Sequence, residues 1–522
     1  MTTVTERRSW ADRAASAWRA DRRRIIVSTV LAVLLVVGFA GLDPGDWFVT
    51  IVRGLAVGAI TFLVASGLSL ILGLMDVLNL AHGELFMLGA YLGWTAYIRP
   101  DTTVDLLVPL LLTAVPFALW GLWRPPARAV AGLGRYAGWV VAALGLAGWW
   151  WAIRRFPLVI WNPDVFSEAP GTYSLAFDTG LLTPLPAGAF TGSALVAILV
   201  LVASAAVMAV GLSSISGGGA PRVGRFGWFG AAGAAAVGLG LLVFRGPVVD
   251  ALFAMNPTLR FFAAGLVAVA VVAALGAGIE VALIRPLYDR PIYQLMITLG
   301  LGFIIIELVR AVWGRPDFTM PKPPAFNGTG DGCPGQGIGD LFSGCSTIEL
   351  FGSRIRTYNE LFVVAVGIAV LVGVNLLLKR TRIGMIIRAG VQDRAMVEAL
   401  GVNVRVVFMG VFALGAGLAA LGGVLAGPSI GLSPEMGGRL LLSALIALAI
   451  GGLTSFPGAA VAAVLVGLIQ QLVIRYGQIG IPLPGLEEPF KPSPPLVPAS
   501  TVILMIVVLL VLPNGLLGKV DR

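Results

Sequence analysis

Among 522 residues there is a single histidine, His82, and only two cysteines, Cys333 and Cys345. One imidazole and two distant thiols cannot build a Cys/His metal site. A serine nucleophile would have to borrow that one imidazole, and no G-x-S-x-G elbow is present to carry it. The G-x-x-x-x-G-K-[ST] phosphate loop is also missing; "NGLLGKV" near the C terminus has the wrong spacing and no strand before it. The chain therefore lacks the usual means of binding and hydrolysing ATP. Charge is scarce as well: 12% of residues are charged, against roughly 25% in soluble domains.

What replaces them is apolar sequence, 57% of the chain. Apolar stretches of about 17 to 25 residues are the length that crosses roughly 30 Å of hydrocarbon. About 14 occur, at 25–41, 51–73, 83–98, 104–123, 136–153, 189–212, 226–244, 259–283, 291–313, 358–378, 406–427, 438–454, 456–475 and 498–516. The expected fold class is thus an all-α polytopic membrane protein with about 14 transmembrane helices, some short or discontinuous. A cleaved leader is the alternative reading of 25–41, although its basic lead-in is long for one.

The net charge of +9 is not gathered into a soluble basic domain, so it does not point to nucleic acid. It sits between spans. The tail 1–24 carries Arg7, Arg8, Arg13, Arg19, Arg22, Arg23 and Arg24, and the loop 379–405 carries Lys379, Arg380, Arg382, Arg388, Arg394 and Arg405. The positive-inside rule puts both in the cytoplasm, and an even number of spans leaves both termini there. Loop 314–357 then lies outside, with Cys333 and Cys345, where a disulfide can persist; free thiols are the other possibility. Its Pro- and Gly-rich sequence reads as irregular external structure. Between 99 and 258, Trp120, Trp123, Trp139, Trp149, Trp150, Trp151, Trp161 and Trp228 mark a segment facing the lipid headgroups.

Two stretches carry polar residues in unusual places. "MDVLNLAHGELF", 75–86, sets Asp76, Asn79, His82 and Glu84 between apolar runs. The expected place for Asn79 and His82 is the cytoplasmic turn after 51–73, with Gly83 letting the chain turn. There they either cap helix ends or, with Glu84, line a solute path at a broken helix. In 379–405, Ile387, Val391, Ala395, Val397 and Leu400 alternate with polar positions. That spacing predicts one amphipathic helix of three to four turns stopped at Gly401. Its apolar face needs a cover: the membrane surface, another part of the chain, or a partner's groove.

Four ordered blocks carry a resemblance. They are "GLSLILGLMDVLNLAHGELFMLGAY", "RPLYDRPIYQLMITLGLGFIIIE", "RTRIGMIIRAGVQDRAMVEALGVNV" and "ALGGVLAGPSIGLSPEMGGRLLLSALIALAIGGLTSFPGAAVAAVLVGLIQQL", followed by "PNGLLG". The chain resembles the permease subunits of bacterial branched-chain amino acid ABC transporters, the LivH type. The resemblance covers 51–98 and 259–518, which would form a permease core in two segments. It leaves the tail 1–24, an additional first span within 25–50, and a four-span insertion, 99–258.

It implies a half-pore in the cytoplasmic membrane, paired with a second permease subunit. Two cytoplasmic ATPase subunits would hold ATP and Mg, and an extracytoplasmic solute-binding protein would deliver solute. The loop 382–401 would be the coupling helix, with Arg388, Asp393, Arg394 and Glu398 as its polar contacts. Urea or short amides are alternative cargoes. A stand-alone channel or ion-coupled carrier would instead use Asp76, His82, Glu84, Glu280 and Glu307 as ion sites. It would leave the four blocks without a reason.

Overall fold

The computed structural model describes residues 42–518 except 135, 157–169, 186–191, 216–223, 331, 338, 341–342, 393 and 482–487, together with scattered positions between 26 and 38. The tail 1–24, residues 25, 27, 28, 34, 37 and 39–41 of the first apolar stretch and much of loop 154–188 lie outside the described residues. In chain order the helices are α1 (Pro44–Met75), α2 (His82–Ile98), α3 (Pro100–Ala118), α4 (Arg124–Gly132), α5 (Ala137–Ile153), α6 (Pro170–Asp178), α7 (Gly192–Ile215), α8 (Arg225–Val243) and α9 (Arg245–Ala254). They continue with α10 (Pro257–Ile279), α11 (Pro291–Trp313), α12 (Val363–Arg380), α13 (Arg382–Gln392), α14 (Arg394–Ala399), α15 (Val404–Ile430), α16 (Met436–Gly451), α17 (Phe456–Ile479) and α18 (Leu496–Val511). Single π turns, Glu280–Ile284 and Thr357–Phe362, adjoin α10 and α12.

Among the described residues, eight helices are long and apolar enough to cross a bilayer, or nine if α8 and α9, bent by 82° at their junction, count as one span. This is an all-α polytopic membrane protein. Several of the fourteen apolar stretches fold as helices of 16 or 17 residues, about 25 Å long, which is short for a full crossing. α1 begins earlier than the expected 51. Pro44 fits the first turn, where its missing N–H is no loss, and Asp46 complements the positive end of the helix.

The chain divides into two compact units, one made of the residues up to Gly93, Gly265–Val309 and Pro316 onward, the other of Trp94–Ala264 and Arg310–Arg315. In the first, α1 is the central helix, with Leu63, Val64, Ala65, Leu68 and Ile71 wholly buried. Small residues let its neighbours approach to backbone contact. A Cβ at Gly58 would stand 2.8 Å from Val464 Cα of α17, and one at Gly415 of α15 would stand 2.9 Å from the Gly67 carbonyl. The break "GGLTSF" is a tight turn in which Ser455 Oγ accepts the Gly458 N–H at 3.2 Å and caps α17.

In this unit the loop 314–357 departs from the irregular structure expected of it. It carries a three-stranded sheet of β1 (Gly335–Gln336), β2 (Thr347–Leu350) and β3 (Ser353–Arg356), in that order. β1 pairs parallel with β2, and β2 antiparallel with β3. Strands of two to four residues are too short to show an alternating pattern. Cys333 and Cys345 are joined by a disulfide across this sheet's connection.

In the second unit, Ala197, Leu201, Ala205 and Ala209 form a wholly buried stripe at four-residue spacing along α7. Its ion pairs are internal: Arg245 grips Asp105 with two bonds of 2.5 and 2.9 Å, and Arg99 pairs with Asp101. Arg260 lies among the rings of Tyr97, Phe177 and Phe253 and donates to Leu252 O at 3.2 Å, at the negative end of α9. Trp139, Trp150, Trp151 and Trp228 are exposed.

Candidate functional site

α1 ends where Asp76 adopts a left-handed conformation, φ 54°, and its N–H closes on Leu72 O at 3.0 Å. Asp is among the few side chains that tolerate this region. Asp76 is exposed. The chain then does not turn at Gly83. Residues 76–81 are non-helical and climb back along α1 before α2 begins at His82.

The register of the contacts shows how far. The His82 ring lies against α1 at Val64 and Gly67, eleven and eight residues before Met75, or about 12 to 16 Å from that end at 1.5 Å per residue. Leu80 N–H donates to Thr298 Oγ1 at 3.3 Å, and the Glu84 carboxylate lies beside Gly302, both well inside α11. The expected cytoplasmic turn is thereby corrected: Asn79, His82 and Glu84 sit roughly half-way along the neighbouring helices.

Each of the three has a local task. Asn79 Oδ1 accepts the Ala81 N–H at 3.1 Å, and Asn79 O accepts the His82 N–H at 3.3 Å, which caps α2. His82 Nε2 lies 3.2 Å from Val64 O; a carbonyl only accepts, so Nε2 carries the proton and Nδ1 keeps a lone pair. Gly83 serves close contact. A Cβ there would stand 2.8 Å from Leu441 Cβ and run into the Gly437 carbonyl, because α16 starts beside the start of α2. Two short helices thus bring their N-terminal ends together, where free N–H groups and the positive end of each dipole favour an anionic or electron-rich group.

Around this junction, Ser69 Oγ, Asn79 Nδ2, His82 Nδ1 and Glu84 Oε2 are buried without a partner among the described residues. Leaving such an atom unmatched costs about 1 to 3 kcal/mol. The junction therefore offers an amide donor, an imidazole acceptor and a carboxylate oxygen to whatever polar group enters it. His82 also fixes its neighbours: a Cβ at Gly67 would lie 2.9 Å from Nε2, so only glycine leaves room for the ring.

The second candidate is the segment after α12. Thr381 Oγ1 accepts the Gly384 N–H at 3.0 Å and caps α13. One amphipathic helix was expected; the described residues are helical on both sides of Asp393, as α13 and α14, and Gly401 follows at φ 82°. Ile387 and Val397 are buried, whereas Met385, Met396 and Leu400 are exposed, so the apolar residues do not share one covered face. Glu398 is exposed; Asp393 and the side chains of Arg388 and Arg394 lie outside the described residues.

A network that sequence reasoning missed adjoins this segment. Glu280, wholly buried in the π turn after α10, takes Arg285 at 2.7 and 3.2 Å and the Tyr288 hydroxyl at 2.5 Å. Arg285 also donates to Arg405 O at 3.3 Å, and Tyr288 packs edge-on against Phe408 at 5.8 Å, both on α15. The available signal was the Glu/Arg spacing of five, which suits a π turn better than an α-helix.

In sequence, residues 50–124 and 188–512 match the family described as branched-chain amino acid transport system / permease component. The match breaks within 99–258, leaving out 125–187. The high-affinity branched-chain amino acid transport system permease protein LivH of Escherichia coli K12 is 28% identical over 260 residues, 49% of this chain and 74% of that protein. LivH of Salmonella typhimurium gives the same figures. The permease protein BraD of Pseudomonas aeruginosa is 32% identical over 117 residues, 22% of this chain and 38% of its own. No solved structure matches the chain. With both ends of the junction and the segment α13–α14 inside a match that spans most of its length, this polytopic chain belongs to the family of branched-chain amino acid transport system permease components.

Proposed function

We propose that the chain is the pore-forming subunit of an ABC importer that moves branched-chain or other small amino acids across the bacterial cytoplasmic membrane. It acts with a second permease subunit, two cytoplasmic ATPase subunits that hold ATP and Mg, and an extracytoplasmic solute-binding protein. The observation that carries this reading is the pair α13–α14, which presents exposed Met385, Met396, Glu398 and Leu400 immediately before α15. Apolar side chains on a basic cytoplasmic segment suit a partner's groove.

Movement of that pair has a route inward. α15 is tied to α10 through Arg405, Arg285 and Glu280, and higher up its Gly415 is pressed against Gly67, beside the His82 ring. Closure of the ATPases would shift α15 and with it the junction of α1 and α2. Packed cores respond to such shifts by switching between discrete arrangements. Asn79, His82 and Glu84 then line the solute path, their unmatched atoms taking the polar groups of the passing solute.

Glu398→Arg is expected to leave membrane insertion intact and abolish capture of the ATPase subunits in a pull-down; unchanged capture overturns the coupling role. His82→Asn is expected to assemble normally and fail in transport. Loss of assembly would make His82 a structural lock of the junction and remove it from the path.

A further inference from the structure

Charge in the second unit is sorted to its two ends. No acidic residue occurs from 106 to 163 or from 179 to 249. The same stretches hold Arg124, Arg128 and Arg135 between α3 and α5, and Arg222 and Arg225 where α7 gives way to α8. The helices bring these two connections to one end. Arg245 holds Asp105 where α8 finishes and α3 begins, and Gly238 of α8 lies beside Leu111 and Leu112 of α3, so the two run antiparallel and α8 starts level with the end of α3. Gly138 at the start of α5 packs on Ser214 at the end of α7, and Gly145 on Met208, which sets that pair antiparallel too. Asp101 and Asp105 belong to the opposite end, and the positive-inside rule makes the arginine end cytoplasmic.

α4 lies at this end, between two spans. Pro125 and Pro126 sit in its first turn, where their missing N–H groups cost nothing. The wholly buried Ala127 seats it against α7. Arg124 and Arg128, four residues apart, share a face of the helix. Arg128 is exposed, Arg124 Nε is buried without an acceptor, and neither guanidinium bonds a described residue. Leu122 and Leu133 flank the helix and Tyr136 and Trp139 follow it, all exposed. Trp123 is folded back on α3, its indole N–H donating to Pro116 O at 2.7 Å. Almost all of α4 falls in 125–187, the part that the permease family match leaves out.

We propose that this end of the second unit binds the headgroups of anionic phospholipids in the cytoplasmic leaflet, with Arg124 and Arg128 on the lipid phosphate. A guanidinium fork matches two phosphate oxygens. Four to eight basic residues just inside a span draw acidic lipid, and five arginines stand here with no carboxylate in the same stretches to neutralise them. The exposed Leu133, Tyr136 and Trp139 beside them suit the boundary between headgroups and acyl chains better than an acidic protein surface. The inference goes beyond the transport reading and does not depend on which solute is carried.

The test is native mass spectrometry of the full chain released from nanodiscs of equal phosphatidylglycerol and phosphatidylcholine. The wild type is expected to retain phosphatidylglycerol about threefold or more over phosphatidylcholine, less so as salt is raised. Arg124→Gln/Arg128→Gln is expected to lose most of that preference, and Arg124→Lys/Arg128→Lys to keep it. Arg128→Gln alone alters only an exposed side chain, so it cannot disturb packing, and it is expected to weaken the preference. Hydrogen exchange of 119–134 is expected to be slower in phosphatidylglycerol than in phosphatidylcholine for the wild type, and equal in the two for the double glutamine variant. Equal retention of both lipids by the wild type, an unchanged preference in the glutamine variants, or exchange indifferent to the lipid overturns the inference. So does loss of ATPase capture in the double glutamine variant with its lipid preference intact, which would make α4 a protein contact.

Discussion

Gly67→Ala probes the junction at its tightest point. The added Cβ would lie 2.5 Å from Gly415 O, 2.9 Å from His82 Nε2 and 3.0 Å from His82 Cε1, all inside ordinary van der Waals contact. The carbonyl belongs to the backbone of α15 and cannot rotate away. Either α1 and α15 separate or the imidazole swings out and loses its 3.2 Å bond to Val64 O. Overpacking of this kind costs about 1 to 3 kcal/mol, and the lost hydrogen bond about 0.5 to 1.5 kcal/mol. The expected destabilisation is about 1 to 3 kcal/mol if the helices separate, and up to about 4.5 kcal/mol where the imidazole bond is lost as well. Gly300→Ala on α11 is the control, because a Cβ there meets nothing within 4 Å. That change should be neutral or stabilising by up to about 1 kcal/mol, from helix propensity alone. The assay is reversible unfolding of the purified chain in mixed micelles with increasing sodium dodecyl sulfate. Equal stability of Gly67→Ala and Gly300→Ala would refute the packing argument.

Three further outcomes follow from the polar contacts. Cys345→Ser is expected to remove about 3 kcal/mol from the loop 314–357, the worth of closing a short loop; unchanged resistance to limited proteolysis would contradict this. Arg285→Ala strands the wholly buried Glu280 and should cost about 3 to 5 kcal/mol in the same unfolding assay. The double variant with Glu280→Gln should recover part of that loss, and equal losses would refute the pairing. Burial, then the nearby Arg356, hold the half-buried Lys322 ammonium below its usual pKa, against an opposing pull from Glu360. The folded loop therefore disfavours the protonated form. Its stability should rise as pH climbs through that lowered value toward the ordinary lysine range. Lys322→Met should flatten the rise seen with an alkaline-active protease, and an unchanged pH dependence would count against it.

Hydropathy was a good guide wherever a helix is apolar all round. The stretch 291–313 is α11 to the residue, and 406–427 lies within α15. It failed where a residue's depth depends on tertiary register. The run from 51 to 98 reads as two spans joined by a turn, and nothing in it discloses that 76–81 climb back along α1. Only the pairing of His82 with Val64 and of Leu80 with Thr298 fixes that level. Asn79, His82 and Glu84 were legible as unusual because polar side chains are rare in apolar runs, but their unmatched atoms are a property of packing. The π turn at Glu280 was hidden for a related reason: its Arg285 partner reads as loop charge until the turn brings it back over the carboxylate. The segment 382–399 showed its amphipathic spacing. Which of its apolar residues are covered, with Ile387 and Val397 buried and Met385, Met396 and Leu400 exposed, is a property of tertiary packing.

The most direct test of the central claim is uptake of radiolabelled L-leucine into proteoliposomes holding this chain, its partner permease and the ATPase subunits, with solute-loaded binding protein outside and ATP inside. The account predicts uptake that requires ATP and the ATPase subunits, and that is lost in Glu398→Arg. Uptake by the chain alone down an ion gradient, indifferent to ATP, would contradict it.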